Sequence, residues 1–304
     1  MKKKILVTLA IFLGVVLFSV AAYGFYLYKA VTDTATVIHE PLEREQSSKR
    51  AEKVDVERQE PLSFLITGID ARGDNLSGRT DAVIVMTVNP NEESVKMLSI
   101  PRDTRTEIVG RGIQDKINHA HAFGGMTMTI NTVEQFLDIP IDHYVSINMA
   151  GFKSLVDAMG GVTVNNDFAF NQSGHSFAAG EIFLNGDEAL AYTRMRKNDP
   201  RGDFGRNDRQ RQVVEAVIHD AAQLGSITRV GSILDAVGGS VRTDLSLDDM
   251  WTIQSKYRDA RHTIQQMEIT GDGTRINGVY YLQVPDDEVS RVSSELRDHL
   301  ELDS

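Results

Sequence analysis

The chain has 304 residues and a formal net charge of −11, with 43 Asp and Glu against 32 Lys and Arg. That acidity argues against a general nucleic-acid binder. The absence of cysteine excludes disulfides, thiolate metal sites and lipid attachment at a cysteine.

Met1 and three lysines are followed by Ile5 to Tyr28, a run of 24 residues without a charge that Lys29 closes. At about 1.5 Å per residue such a run crosses a bilayer core of roughly 30 Å. The lysine asymmetry predicts residues 1–4 in the cytoplasm, a transmembrane anchor over 5–28 and the rest of the chain outside the cell. A cleaved signal peptide is the alternative, with Ser19-Val20-Ala21 as its cleavage site, but its apolar core is normally only about 7–15 residues. His39 to Glu60 carries twelve Asp, Glu, Lys or Arg in 22 residues. Residues 29–60 therefore read as a polar stalk, extended or helical, and 61–304 as one catalytic domain.

Leu62 to Ile69 reads as a strand, and so do Ala82–Val88 and Val95–Ile100 around the turn Asn89-Pro90-Asn91. The last two strands form an antiparallel hairpin whose open end brings Asp81 beside Arg102 and Asp103. If the first strand pairs nearby, Asp70 reaches the same end. Asp70, Arg79, Asp81, Arg102 and Asp103 then make one cluster, derived from strand order alone. Asp70, Asp74 and Asp81 flank Gly73 and Gly78, a pattern that suits either Mg²⁺ or a plain acidic turn. His119-Ala120-His121 could be a metal pair on one side of a strand, though two histidines alone are weak grounds.

Helices are expected over Thr127–Leu137 and over Ala150–Met159, which Gly160-Gly161 stops, with a strand at Tyr144–Ile147 between them. Val213, Val214, Val217, Ile218 and Ala221 form a helical stripe within 207–224. Ser246 and Asp249 resemble a capping box opening a helix through Tyr257. Strands follow at 263–269 and 278–284, and Val289, Val292 and Leu296 mark a terminal helix. The early hairpin makes the sheet of this α/β domain mixed.

Arg194 to Arg211 packs six arginines and one lysine into eighteen residues. Arginine's planar fork grips phosphate oxygens and keeps its charge at any ordinary pH. A solvated surface loop is the plain alternative, since Asp199, Asp203 and Asp208 interleave the arginines. Carboxylates for a cation beside arginines for phosphates are what a pyrophosphate-bearing substrate requires. Outside the cell a lipid-linked pyrophosphate fits better than ATP. No Walker loop, GxSxG elbow or HExxH is present.

The segments FLITGIDARGD, GRTDAVIVMTVNP, LSIPRDTRTEI, DKINHAHAFGG, MAGFKSLVDAMGGVTV, GEIFLNGDEALAYTRMRKNDPRGDFGRNDRQRQVV and VRTDLSLDDM follow one another between about residues 62 and 250. In that order they resemble the LytR-CpsA-Psr family, and the N-terminal anchor matches it too. The resemblance implies a three-layer α/β/α sandwich with a central mixed sheet, whose pocket holds a polyprenyl pyrophosphate. It implies a phosphotransferase that moves an anionic glycopolymer such as wall teichoic acid from an undecaprenyl-pyrophosphate carrier to peptidoglycan, at the C6 hydroxyl of N-acetylmuramic acid. Carried over, Asp70 and Asp81 match the Mg²⁺ pair, and Arg79, Arg102, Arg194, Arg196, Arg206 and Gln210 the pyrophosphate-binding and catalytic set. Arg105, Lys116, Asn118 and Asp199 lie in matching motifs, as substrate-binding positions. Helices 127–137 and 207–224 are candidate walls of the prenyl tunnel. No general base stands out, and Asp103 and Asp199 are the candidates. A membrane regulator that binds polyprenyl phosphates without turnover and a lipid pyrophosphatase are the rival functions.

Overall fold

Leu62–Ile69 forms β1, the bounds read from its apolar run. β2 (Thr80–Asn89) returns antiparallel to it, and β3 (Ser94–Ser99) closes the expected hairpin. The turn is held by Asn89, whose side-chain oxygen accepts from the N–H groups of Asn91 at 2.8 Å and Glu92 at 3.1 Å. A short hairpin follows, β4 (Arg105–Ile108) with β5 (Ile113–Lys116), and leads into helix α1 (His119–Leu137). Then come β6 (His143–Asn148), α2 (Met149–Met159), β7 (Val162–Asn166), β8 (Phe170–Gln172), β9 (His175–Phe177), β10 (Gly180–Leu184) and α3 (Gly186–Arg194). α4 (Asp203–Ala221), α5 (Ile227–Val237), β11 (Val241–Thr243), α6 (Leu247–Lys256), β12 (Thr263–Glu268), β13 (Asp272–Ile276), β14 (Val279–Gln283) and α7 (Asp286–His299) complete the chain. This computed structural model describes residues 29, 32, 35–44, 46–71, 76–221 and 227–302. The expected anchor 5–28, and Gly73 and Asp74 of the acidic turn, lie outside the described residues. Among the described residues no helix is long and apolar enough to cross a membrane.

The central sheet has six strands in the order β11-β6-β1-β2-β3-β12. β6 and β12 run parallel to their neighbours β1 and β3, whereas β2 and β11 are antiparallel, so the sheet is mixed as expected. Alternate residues of a strand face opposite sides, and both sides here are apolar. On one side Leu65, Val85 and Leu98 pack with Ile130, Val133 and Leu137 of α1 and Val292 and Leu296 of α7. On the other, Leu62, Phe64, Ile84 and Met97 meet Leu245 and Tyr257, with Val214, Ile218, Met250 and Ile253 packed against them. Helices thus cover both faces of the sheet. A third cluster, built on Val162, Phe170, Phe177, Tyr192 and Val213, joins the small β7–β10 unit to α3 and α4.

Two expectations change. α1 starts eight residues before Thr127, because the helical path breaks and resumes at Gly124 (φ −153°, ψ 26°) and Gly125 (φ 64°, ψ −156°). Only glycine tolerates the second conformation readily. The two histidines of the His119-Ala120-His121 run therefore stand in a helix, not on a strand. His119 pairs with Asp115 at 2.7 Å and His121 with the carbonyl of Gly78 at 2.9 Å.

The polar segment before Pro61 is a strap rather than a free stalk. Arg44 donates to both oxygens of Glu134 at 2.7 and 2.9 Å and to the carbonyl of Ile141. Arg50 grips both oxygens of Asp142 at 2.6 and 2.7 Å, where the Asp142 side chain is only 3% exposed. Breaking one partner of such a buried pair typically costs about 3–5 kcal/mol, since the other charge is left uncompensated. The charges that looked like solvation in the sequence hold this segment on the domain.

Candidate active site

The carboxyl ends of β1, β3 and β6 lie at one end of the sheet, with the start of β2 between them. Register therefore delivers Asp70, Asp81, Arg102 and Asp103 to one place, as strand order implied. The β1–β2 pairing shifts between Gly68 and Ile69, which sets Asp81 within the irregularity. Backbone bonds lock the surroundings. Asp70 N–H donates to Arg79 O at 3.1 Å, Thr80 N–H to Asn118 O at 3.4 Å, and Asn118 N–H to Arg102 O at 3.3 Å.

Arg102 Nη1 donates to Asp81 Oδ1 at 2.6 Å, and its Nε lies 4.0 Å from Asp103. Burial pulls the Arg102 guanidinium toward lower pKa, but the hydrogen bond and charge of Asp81 outweigh it and hold the pKa raised. Lys116 Nζ reaches Asp103 at 2.6 Å and stands 5.7 Å over the Tyr281 ring. Arg105 is directly opposite Lys116 in the β4–β5 hairpin, so both stand on one face of it. Asn118 is 5% exposed and its Oδ1 is buried without a hydrogen-bond partner. Arg79 is exposed, and no carboxylate among the described residues pairs with it.

The arginine-rich loop divides by role. α3 opens with a reciprocal Asn185–Glu188 capping box and ends at Arg194. Arg194 and Arg196 are exposed on either side of Met195, which is fully buried, the alternation expected of an extended segment. Asp199 meets Arg209 at 2.6 Å with both side chains buried, and Arg209 also donates to Met195 O at 2.7 Å. A side chain at Gly205 would stand 2.1 Å from Asp199, so only glycine fits beneath this brace. Arg201 and Arg211 share Asp208 and Glu268, which ties the loop to β12. Asp199, Arg201, Arg209 and Arg211 thus shape the loop, whereas Arg194, Arg196 and Arg206 take no part in that brace.

Arg206 is 5% exposed and its Nε is buried with no partner. Its Nη2 lies 3.0 Å from Asp203, which Arg196 Nε also approaches, at 3.5 Å. Burial lowers the Arg206 pKa, Asp203 opposes that, and the nearby charges of Arg102 and Arg196 add to it. Three guanidinium groups thus crowd together with two carboxylates between them, an arrangement that an added phosphate would relieve. Asp203 was missed from the sequence. An acid in the first turn of a helix reads as a favourable end charge, and its contact with Arg196 spans the loop.

A cavity of about 680 Å³ opens at this point. Asp70, Asp81, Arg194 and Gln210 stand at its polar side, while Ile66, Ile84, Ile147, Phe152 and Val214 make its apolar wall. Ile66 also lines a neighbouring apolar cavity of about 1010 Å³, between Met86 and Val145 of the same sheet face and Ile218 and Met250 of the helices over it. Arg206, Gln210, Val214 and Ile218 are spaced by four along α4, one stripe of a helix. That stripe passes from charged to amide to apolar. α4 therefore walls the trough as expected, but α1 does not. Its apolar residues pack on the opposite face of the sheet.

Two carboxylates at the mouth suit Mg²⁺, which takes one or two protein carboxylates and completes its shell with substrate phosphates and water. Among the described residues no group of three His, Asp or Glu could hold a metal by itself. The donor set fits a cation that arrives with phosphate.

A family model described as the LytR_cpsA_psr family matches residues 25–298. The polyisoprenyl-teichoic acid--peptidoglycan teichoic acid transferase TagU of Halalkalibacterium halodurans is 63% identical over 302 residues, 99% of each chain. The crystal structure of Bacillus subtilis TagU superposes with a TM-score of 0.67 at 50% identity, covering 81% of this chain and 99% of that one. The family protein YwtF (TagT) with bound octaprenyl pyrophosphate lipid superposes at 0.71 with 30% identity, covering 87% and 100%.

Proposed function

The chain belongs to the LytR_cpsA_psr family, and on that premise we propose that it is a teichoic acid transferase working on a lipid pyrophosphate. The observation that carries this reading is the α4 stripe. Gln210 stands at the polar mouth one helical turn beyond buried Arg206, and Val214 and Ile218 continue into an apolar trough. A polyprenyl pyrophosphate has the same order of chemistry, charged head and then hydrocarbon.

In this reading the prenyl chain lies along Ile66, Val214 and Ile218, and the two phosphates sit among Arg102, Arg194, Arg196 and Arg206. Gln210 donates to a phosphate oxygen from one turn further along the helix. Arg79, Arg105 and Lys116 supply positive potential at the rim and hold the anionic polymer. The acceptor hydroxyl, the C6 hydroxyl of N-acetylmuramic acid in peptidoglycan, attacks the phosphorus bonded to the sugar. A new P–O bond forms, the bond from that phosphorus to the bridging oxygen breaks, and undecaprenyl phosphate leaves with the electron pair. Buried Arg206 and Arg102 take up the charge that grows on the leaving phosphate. Of the two candidate bases, Asp199 is committed to Arg209. Asp103, at the mouth beside Lys116, is the better-placed group to receive the hydroxyl proton. A loose transition state asks little of a base. Mg²⁺ held by Asp70 and Asp81 would neutralise phosphate charge when bound.

The transfer is tested by combining the full chain with a defined lipid-pyrophosphate glycopolymer, uncrosslinked glycan and Mg²⁺. Polymer attached to glycan is the expected product. Lipid phosphate released without attachment would indicate a pyrophosphatase, and binding without turnover would indicate a regulator.

The N-terminal lysines and the uncharged run 5–28 support a single-pass anchor with the domain outside the cell. Protease added to intact protoplasts should remove residues beyond the anchor. A protected domain would overturn this topology and with it the access to peptidoglycan.

A further inference from the structure

On the side of the sheet away from the trough lies another cavity, of about 710 Å³. Tyr144 and Ser146 of β6, Arg242 of β11, His121 and Phe123 of α1 and Glu40 of the strap line it. The two cavities back onto one strand. Ile147 lines the apolar wall of the trough and its neighbour Ser146 lines this space, because successive residues of a strand face opposite ways. At the rim His121 bonds the carbonyl of Gly78, the residue before Arg79.

The lining mixes polar groups with apolar ones such as Leu76 and Met126 and is nearly neutral. Ser146 is 3% exposed, and its hydroxyl is buried with no hydrogen-bond partner. A buried hydroxyl without a partner is unfavourable, and a ligand hydroxyl drawn in beside it would relieve that. Arg242 Nε and Glu40 Oε2 lie 3.4 Å apart and set a donor beside an acceptor on another wall. Phe123 is 39% exposed; the Arg111 guanidinium lies over one face of its ring at 4.4 Å, and the exposed remainder offers an apolar surface. The helix break at Gly124 and Gly125 keeps one side open, since a Cβ on Gly125 would meet nothing within 4 Å. Burial holds His121 below its ordinary pKa, so it adds no charge near neutral pH. An anion site would show a surplus of cations, as Arg102, Arg194, Arg196 and Arg206 around the trough do over Asp70, Asp81 and Asp203. Here one carboxylate offsets one guanidinium. Paired donors and acceptors, an unfilled hydroxyl and an exposed ring suit a sugar, whose hydroxyls both give and accept and whose C–H face packs on aromatics.

We propose that this cavity is the acceptor subsite, holding an N-acetylhexosamine of the glycan strand so that a neighbouring sugar presents its hydroxyl across the rim to the phosphates. The proposal rests on the transferase reading above. Its test uses the full chain in lipid nanodiscs, titrated calorimetrically with a soluble uncrosslinked oligomer of alternating N-acetylglucosamine and N-acetylmuramic acid. Ser146→Leu fills the cavity. Phe123→Ala removes a partly exposed ring that also packs with Arg111 and His119, so its fold is checked by a thermal melt before titration. The wild type should bind, and each variant should bind at least about tenfold more weakly while retaining wild-type affinity for a polyprenyl pyrophosphate. No binding by the wild type, or unchanged binding by folded Phe123→Ala, would overturn the subsite. So would an equal loss of lipid affinity, because the two cavities would then not be separate sites. Intact glycan binding without polymer transfer would count against the transferase reading instead.

Discussion

Arg206→Lys should lower the transfer rate about 10²–10³-fold, the typical loss for one transition-state contact, while leaving the protein folded. Lysine keeps the charge but cannot give two directed hydrogen bonds from a plane. Arg206 is also the buried member of the cluster, with an Nε that nothing else fills. A charge in such a place acts with little solvent screening. Two nearby arginines serve as controls. Arg201 is half exposed, at 51%, and Arg201→Ala should be nearly silent, as exposed pairs contribute roughly 0–1 kcal/mol. Arg209→Ala should instead lower the melting temperature, because it strands buried Asp199. Rate constants and thermal melts on the three variants separate these outcomes. Wild-type turnover by Arg206→Lys would reduce the cluster to surface charge.

Plugging the trough should produce a loss that depends on donor length. Val214 and Ile218 lie about 6 and 12 Å beyond Gln210 along the helix axis, at 1.5 Å per residue. Tryptophan at either position fills apolar space without adding charge. Val214→Trp should therefore cost about 10²-fold or more with any prenyl donor, since it displaces the chain next to the reacting phosphates. Ile218→Trp should cost as much with a long-chain donor but spare a short-chain one that ends before the plug. Steady-state kinetics with donors of two lengths gives the comparison. Equal losses for both donors in Ile218→Trp would mean that the chain does not follow this stripe.

Strand order was legible because it rests on local signals. The β1 run, the Asn89-Pro90-Asn91 turn and the hairpin pairing sufficed to gather Asp70, Asp81 and Arg102. The roles of the arginines were not legible. Six residues with the same chemistry sit within eighteen positions, and what divides them is the placement of Asp199, Asp203, Asp208 and Glu268 after folding. The strap escaped for a similar reason, since Arg44 and Arg50 find Glu134 and Asp142 about ninety residues away. β7 to β10 are three to five residues each, too short for alternation to stand out. The β13–β14 hairpin did carry a signal. Asn277-Gly278, with φ of 50° and 81°, is the residue pair that a tight hairpin turn favours, although only the second strand was read from it.

Two phosphorus atoms join lipid to polymer, and following them is the most direct measurement. A donor labelled with ³²P in the phosphate next to the sugar is incubated with the full chain and uncrosslinked glycan. Transfer predicts that the label becomes bound to glycan and that the lipid leaves as an unlabelled monophosphate. Label that stays on the lipid, or that appears on free polymer with none on glycan, would contradict it.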